Sequence, residues 1–343
     1  MMTTIIELVV SLVAILGAAV LFTNAVEMLG ERLNLGSGAV GSVLAAVGTA
    51  LPETMIPVVA LIGAALAGES AGAAASEIGI GAILGAPFLL ATLALFIVGA
   101  SALGFRGRRQ NGTEIVIEKR TTRRDIIYFL VLFAVAAGAG IVALPTYVKV
   151  LVAILLVAAY AFYVWRTIVK GEEELEDTPH DLKIWPEATW GPAPTWAVVV
   201  QLLLTLVVMG VGAHFFVQGV EGASEVMGIP AGLISLVLAP LATELPEKFN
   251  SLIWLREDKD TLAVGNITGA MVFQSTLPVA LGLAFTTWEL GFINALSAGM
   301  ALASGVVFLG FLLRKAPIKA YYLLGAGIMY AAFVAVAIYQ VVM

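Results

Sequence analysis

Runs of about twenty apolar residues follow one another along nearly the whole chain, with only short polar stretches between them. Inside a bilayer the backbone has no water to bond to, so each such run must pair its own N–H and C=O groups, as a helix does. The composition agrees. Of 343 residues, 60% are apolar and 12% charged, against about 45–50% and about 25% in soluble domains. Candidate spans lie near 5–29, 37–66, 75–102, 125–144, 147–169, 194–222, 230–256, 261–287, 291–313 and 318–341. The expected fold is all-α, a polytopic membrane protein with about ten transmembrane helices.

Basic residues orient the spans. Arg106, Arg108, Arg109, Lys119, Arg120, Arg123 and Arg124 follow the third span, Arg256 and Lys259 the seventh, and Arg314, Lys315 and Lys319 the ninth. One orientation puts all of them inside and leaves 67–74 and the Thr287-Trp288-Glu289 turn outside. Both termini are then external, in a protein of the plasma (inner) membrane. The N-terminus enters its first run without a basic region, which reads as a retained span rather than a cleaved signal peptide. With no cysteine, disulfides and thiolate chemistry are excluded. A net charge of -6, with basic residues confined to short loops, gives no support for nucleic-acid binding. Residues 170–193, rich in Glu and Asp, read as a cytoplasmic acidic linker between five-helix halves at 1–169 and 194–343.

Those halves repeat each other. Gly48-Thr49-Ala50-Leu51-Pro52-Glu53 reappears as Ala242-Thr243-Glu244-Leu245-Pro246-Glu247, placing a carboxylate inside an apolar run each time. The interval between Glu53 and Glu247 is 194 residues, and Glu27 and Glu221, in matching blocks of spans one and six, stand 194 apart as well. A third block, Gly81-Ala82-Ile83-Leu84-Gly85-Ala86, matches Gly265-Asn266-Ile267-Thr268-Gly269-Ala270 at 184, so the first half carries ten extra residues in the 67–80 region. An odd number of spans per half forces opposite insertion, the inverted repeat common among secondary transporters.

An ionisable residue within a span is costly and marks a functional site by default. Proline removes a helical hydrogen bond and glycine loosens the turn, so the helices are expected to open at Gly48–Pro52 and Ala239–Pro246. Carboxylates of Glu53 and Glu247, hydroxyls of Thr49 and Thr243, and freed carbonyls would then offer a hard cation the oxygens it needs. Without a cation, two close carboxylates repel unless a proton intervenes. Competition between a cation and a proton, or between two cations, is the physical core of an exchanger.

These blocks resemble the cation/calcium exchanger superfamily, which includes sodium/calcium and proton/calcium antiporters, with its G-T-S-L-P-E and G-N-x-x-G-S-N-x-x-N motifs. The resemblance covers essentially the whole chain. It implies alternating access around Glu53 and Glu247, supported by Thr49, Thr243 and Gln274, the last standing where the family places its terminal ligand. The departures are specific. Leu90 and Ala82 replace expected polar residues in the first repeat, Ala50 and Glu244 replace the small hydroxyl residue, and Ala86-Pro87 and Ala270-Met271 replace Ser-Asn. Glu244 and Lys248, at i and i+4, read either as a pair that solvates itself, with Lys248 free to snorkel, or as an ammonium standing where a sodium ion would otherwise lie.

Among the remaining polar residues, His214 reads as a buried structural histidine and Glu77 as a solvated loop acid. No paired-histidine zinc motif, nucleophile elbow or P-loop occurs, so neither an enzyme nor an ATP-driven pump is expected. The expected function is a secondary-active antiporter exchanging calcium or a related divalent cation for protons or sodium, with no cofactor. The alternatives are a monovalent cation/proton antiporter and a transport-inactive ion sensor or scaffold.

Overall fold

The computed structural model describes residues 2–32, 40–66, 69–142, 144–170, 182–185 and 191–342, without the side chains at 27, 30, 31, 40–52, 69–71, 168–170, 242 and 245–250. Thr49, Glu247 and Lys248 are thus described by their backbone alone, and the acidic part of the linker lies outside the described residues.

The first half holds α1 (Met2–Arg32), α2 (Val40–Leu66), α3 (Glu69–Leu89), α4 (Leu95–Gly104), α5 (Lys119–Ile141) and α6 (Thr146–Lys170). The second holds α7 (Thr195–Met227), α8 (Ala231–Arg256), α9 (Asp260–Gln274), α10 (Leu277–Phe285), α11 (Phe292–Leu313) and α12 (Ala320–Val342). A two-residue antiparallel pair, β1 (Glu114–Ile115) with β2 (Ile318–Lys319), joins the loops before α5 and α12. Among the described residues eight helical segments are long and apolar enough to cross a membrane. Two shorter apolar stretches, Glu53–Leu66 and Ala231–Leu241, belong to α2 and α8, which carry the hexapeptides. Among the described residues, length and composition thus support eight of the ten expected spans.

The third helix of each half forms the centre. The span Gly72–Gly104 is 83% buried and Asp260–Phe285 72%, whereas Thr146–Thr167 and Ala320–Val342 are each 17% buried and turn apolar faces outward. Helix pairing follows the repeat: α1 packs along α7, and α4 on α12 mirrors α10 on α6. Small residues set the closest crossing. A Cβ added at Gly81 would lie 2.2 Å from the Gly232 carbonyl oxygen, and one at Gly85 only 2.1 Å from that of Leu236. The repeated Gly81–Gly85 block is thus a contact surface on which α8 rests, the small-xxx-small device of membrane helix packing.

The expected opening at the hexapeptides is not what the backbone does. Both α2 and α8 run helically through Pro52, Pro240 and Pro246. Pro240 leaves the Leu236 carbonyl without its helical donor, and that carbonyl is the one packed against Gly85. The Thr243 hydroxyl donates to Ala239 O at 3.1 Å in the same stretch. Protein thus covers the carbonyl that Pro240 frees, and the helix continues. The irregularities fall instead in the third helices, at one register: a π-helical turn at Leu90–Ala94 and a break at Ser275–Thr276. Hydroxyls satisfy both places, with Thr92 donating to Phe88 O, and Ser275 and Thr276 to Val272 O.

Two other expectations need correction. The extra stretch of the first half is helical and lengthens α3 at its start, because its Ala-rich sequence favours helix over loop. His214 is exposed on α7, where it turns outward beside Phe215, instead of being buried. In the loop between α10 and α11, Trp288 is fully buried and adopts a φ of 43°. Its indole donates to Ala136 O at 3.0 Å and lies against Gly282, where a Cβ would stand 2.3 Å from the ring.

Candidate functional site

Three helices bring one oxygen-rich cluster together near the centre of the bundle. Glu53 lies on α2, Glu244 on α8 and Gln274 at the end of α9, just before the Ser275–Thr276 break. All three are buried, with exposures of 9%, 0% and 2%. The Gln274 amide nitrogen donates to Glu53 Oε2 and, at 3.0 Å, to Glu244 Oε1. One carboxamide therefore spans two acids from different halves of the chain. Its two N–H groups are the whole donor capacity of that nitrogen, and its carbonyl oxygen remains an acceptor.

Thr243 is buried beside Glu244, with its hydroxyl directed back to Ala239 O. The side chains of Thr49 and Glu247 lie outside the described residues, as does the Glu244–Lys248 pairing read from the sequence. The backbone places Glu247 three residues beyond Glu244 on the continuous α8, on a neighbouring face. The meeting is that of Glu53 with Glu244 through Gln274. It joins Glu53 to the acid that replaces a small residue in the second hexapeptide. Leu90, the counterpart of Gln274, has no amide and packs in the apolar core, so the first repeat has no equivalent bridge.

A second buried cluster escaped the sequence reading. Asp125 accepts from Tyr163 on α6 at 3.0 Å and from Thr268 on α9 at 3.0 Å, and pairs with Arg124 at 3.2 Å. Arg124 also lies 5.1 Å from the centre of the Tyr163 ring. Asp125 follows four basic loop residues and opens an apolar run, so nothing local distinguishes it from a helix-end acid. Only Thr268, inside the third repeated block, carried a hint. At the start of α5, Glu118 caps the helix by accepting from the backbone of Arg120 and Thr121. Burial pushes its carboxyl up, and the hydrogen bonds from Thr121 and Arg120 outweigh that, leaving it below its ordinary value.

Buried carboxylates from two inverted halves, linked at the bundle centre, point to cation handling, and the comparisons with known proteins agree. The profile of the family described as "Sodium/calcium exchanger protein" matches residues 3–169 and 197–342. The chain belongs to that family. A curated relative, the putative antiporter CaxA of Alkalimonas amylolytica, is 25% identical over 299 residues, covering 87% of this chain and 85% of the relative. The crystal structure of the H+/Ca2+ exchanger CAX superposes with a TM-score of 0.69 at 18% identity, covering 99% of this chain and 86% of that one. The sodium-calcium exchanger NCX_Mj superposes with a TM-score of 0.57 at 17% identity, covering 97% and 98%. At these identities the two structures establish the fold, a helical membrane protein of exchanger architecture.

Proposed function

We propose that this chain is a secondary-active antiporter exchanging calcium, or a related divalent cation, for protons or sodium by alternating access. The central site is assigned to Glu53 and Glu247, with Glu244, Thr49, Thr243 and Gln274 in support. The observation that carries the reading is the Gln274 amide lying between Glu53 and Glu244 in the buried centre. A divalent cation arriving there would displace the amide from between the carboxylates and take their oxygens directly. Gln274 can then turn its carbonyl oxygen, a hard donor of the kind calcium prefers, toward the ion. Family membership and the names of the relatives, one an H+/Ca2+ exchanger and one a sodium-calcium exchanger, support the same assignment.

A third acid distinguishes this site from a simple pair. Three carboxylates around one divalent ion leave a negative charge uncompensated, and a proton or a sodium ion would neutralise it. The loss of polar side chains at Leu90 and Ala82 removes oxygens from the first repeat and tilts the counter-ion toward the proton.

Calcium efflux from proteoliposomes under separately imposed proton and sodium gradients tests the proposal. Efflux driven by one of the two gradients is expected, and Glu53→Gln and Glu247→Gln should each abolish it. Divalent flux surviving both substitutions would remove the site assigned here. Flux of monovalent ions alone would favour the monovalent antiporter, and dependence on neither gradient a transport-inactive sensor.

A further inference from the structure

The first two turns of α5 carry Arg120, Arg123 and Arg124, and their i, i+3, i+4 spacing puts three guanidinium groups on one face. The end of α6 brings Arg166 alongside. Together with Thr121 and Tyr128 these arginines line a crevice of about 220 Å³. Such an arrangement opposes itself electrostatically. Like charges at these spacings repel, and cations at a helix N-terminus meet the positive end of its dipole. Arg124 is engaged by Asp125. Among the described residues no carboxylate forms an ion pair with Arg120, Arg123 or Arg166.

The crevice does not open onto a purely aqueous surface. Ile127 lines it, and the next outward positions on α5, Val131 and Val135, are exposed apolar residues that continue the same face along the span. On α6, Phe162 and Trp165 are likewise exposed, with ring centroids 5.7 Å apart, beside Arg166. Exposed aromatic side chains of this kind mark the boundary between hydrocarbon and headgroups. A cluster of arginines therefore ends an apolar strip at the edge of the bilayer. Its complement is an amphiphile with an anionic head and a hydrocarbon tail.

We propose that the α5–α6 crevice binds the headgroup phosphate of an anionic phospholipid, with an acyl chain lying along Ile127 and Val131. Guanidinium groups match phosphate oxygens in pairs, which favours arginine over lysine at such a site. A zwitterionic lipid brings its own cation into the crevice and loses much of the attraction. A soluble anion lacks the tail that the apolar strip accommodates. The site is separate from the carboxylates of the transport proposal, so either proposal can fail without the other.

Native mass spectrometry of the delipidated full chain in neutral detergent, titrated with phosphatidylglycerol or phosphatidylcholine, tests it. The first phosphatidylglycerol should bind about tenfold more tightly than phosphatidylcholine, as expected where several basic side chains converge on one headgroup. The triple variant Arg120→Gln/Arg123→Gln/Arg166→Gln should lose that preference. Arg314→Gln/Lys315→Gln, which removes two exposed charges elsewhere, should keep it. Arg166→Gln alone, an exposed single change, should weaken the preference severalfold and serves if the triple variant does not fold. Wild-type preference in both crevice variants, or none in the wild type, would overturn the proposal. Displacement of the lipid by millimolar inorganic phosphate would overturn it in favour of a free-anion site.

Discussion

Gln274 links Glu53 and Glu244 through one amide nitrogen, and its buried neighbours make its removal informative. In Gln274→Leu, Glu53 and Glu244 would each lose a charge-assisted donor inside the bundle. Hydrogen bonds to charged groups contribute about 1.5–3 kcal/mol, so a fall of several degrees in melting temperature is expected. Intrinsic tryptophan fluorescence suits the measurement, since the chain has six tryptophans and no cysteine for thiol dyes. An unchanged melting temperature would mean the amide bridge contributes nothing to the fold. Glu53 was legible at this scale, because a carboxylate in a duplicated apolar segment stands out in one dimension. Glu244 was legible as well, as the acid standing where the repeat has a small residue. Only the approach of α2, α8 and α9 shows that one amide reaches both Glu53 and Glu244.

The contact between α3 and α8 is governed by two glycines one helical turn apart. A methyl group at either would collide with backbone, which cannot move aside as a flexible side chain does. Gly85→Ala is therefore expected to cost about 1–3 kcal/mol, the range for overpacking a tight interface. Gly138→Ala on α5, where a Cβ meets nothing within 4 Å, should be neutral or stabilising by up to about 1 kcal/mol. Thermal unfolding of the two variants side by side checks both signs. Equal behaviour would mean that α3 and α8 do not cross so closely. The Gly-x-x-x-Gly pattern was visible in the sequence as a repeated block. Its role was not, because the second copy looks alike on paper, yet among the described residues no atom comes within 4 Å of a Cβ at Gly265 or Gly269. The hexapeptide prolines carried the opposite lesson: a proline predicts a lost hydrogen bond, and neighbouring atoms decide whether the helix opens.

Across the molecule, the loop before α5 fastens the ends of several helices. Arg109 donates to both Asp260 oxygens, at 2.8 and 2.6 Å, and to Glu114 O at 3.0 Å. Asp260 also accepts from Val116 N, and Asp258 from the backbone of Gln110 and Asn111. Through β1 and β2 the same loop reaches the start of α12. Removing one partner of a buried pair costs about 3–5 kcal/mol, because the other charge is stranded. Arg109→Leu is expected to destabilise by that amount, and Arg109→Leu/Asp260→Leu by distinctly less, in a double-mutant comparison of melting temperatures. Additive losses would show that the two side chains do not act as a pair. The basic loop residues had been read for orientation alone. Arg109 turns out to be buried in a structural junction, while Arg120, Arg123 and Arg166 remain at the surface and form the crevice assigned to a lipid.

Chain order alone was enough to determine the membrane class, the inverted repeat, the family and the helices that carry the acids. Each of these is written in local hydrophobicity or in duplicated register, which survive without knowledge of packing. The tertiary structure decided which acid meets which, which glycines touch backbone, where the helices break and which arginines converge. An apolar run encodes that a helix spans, and leaves its rotation and its neighbours to side-chain packing. The carboxylates and Gln274 were therefore announced by the sequence, and the bridge that the amide makes between Glu53 and Glu244 was found only in the fold.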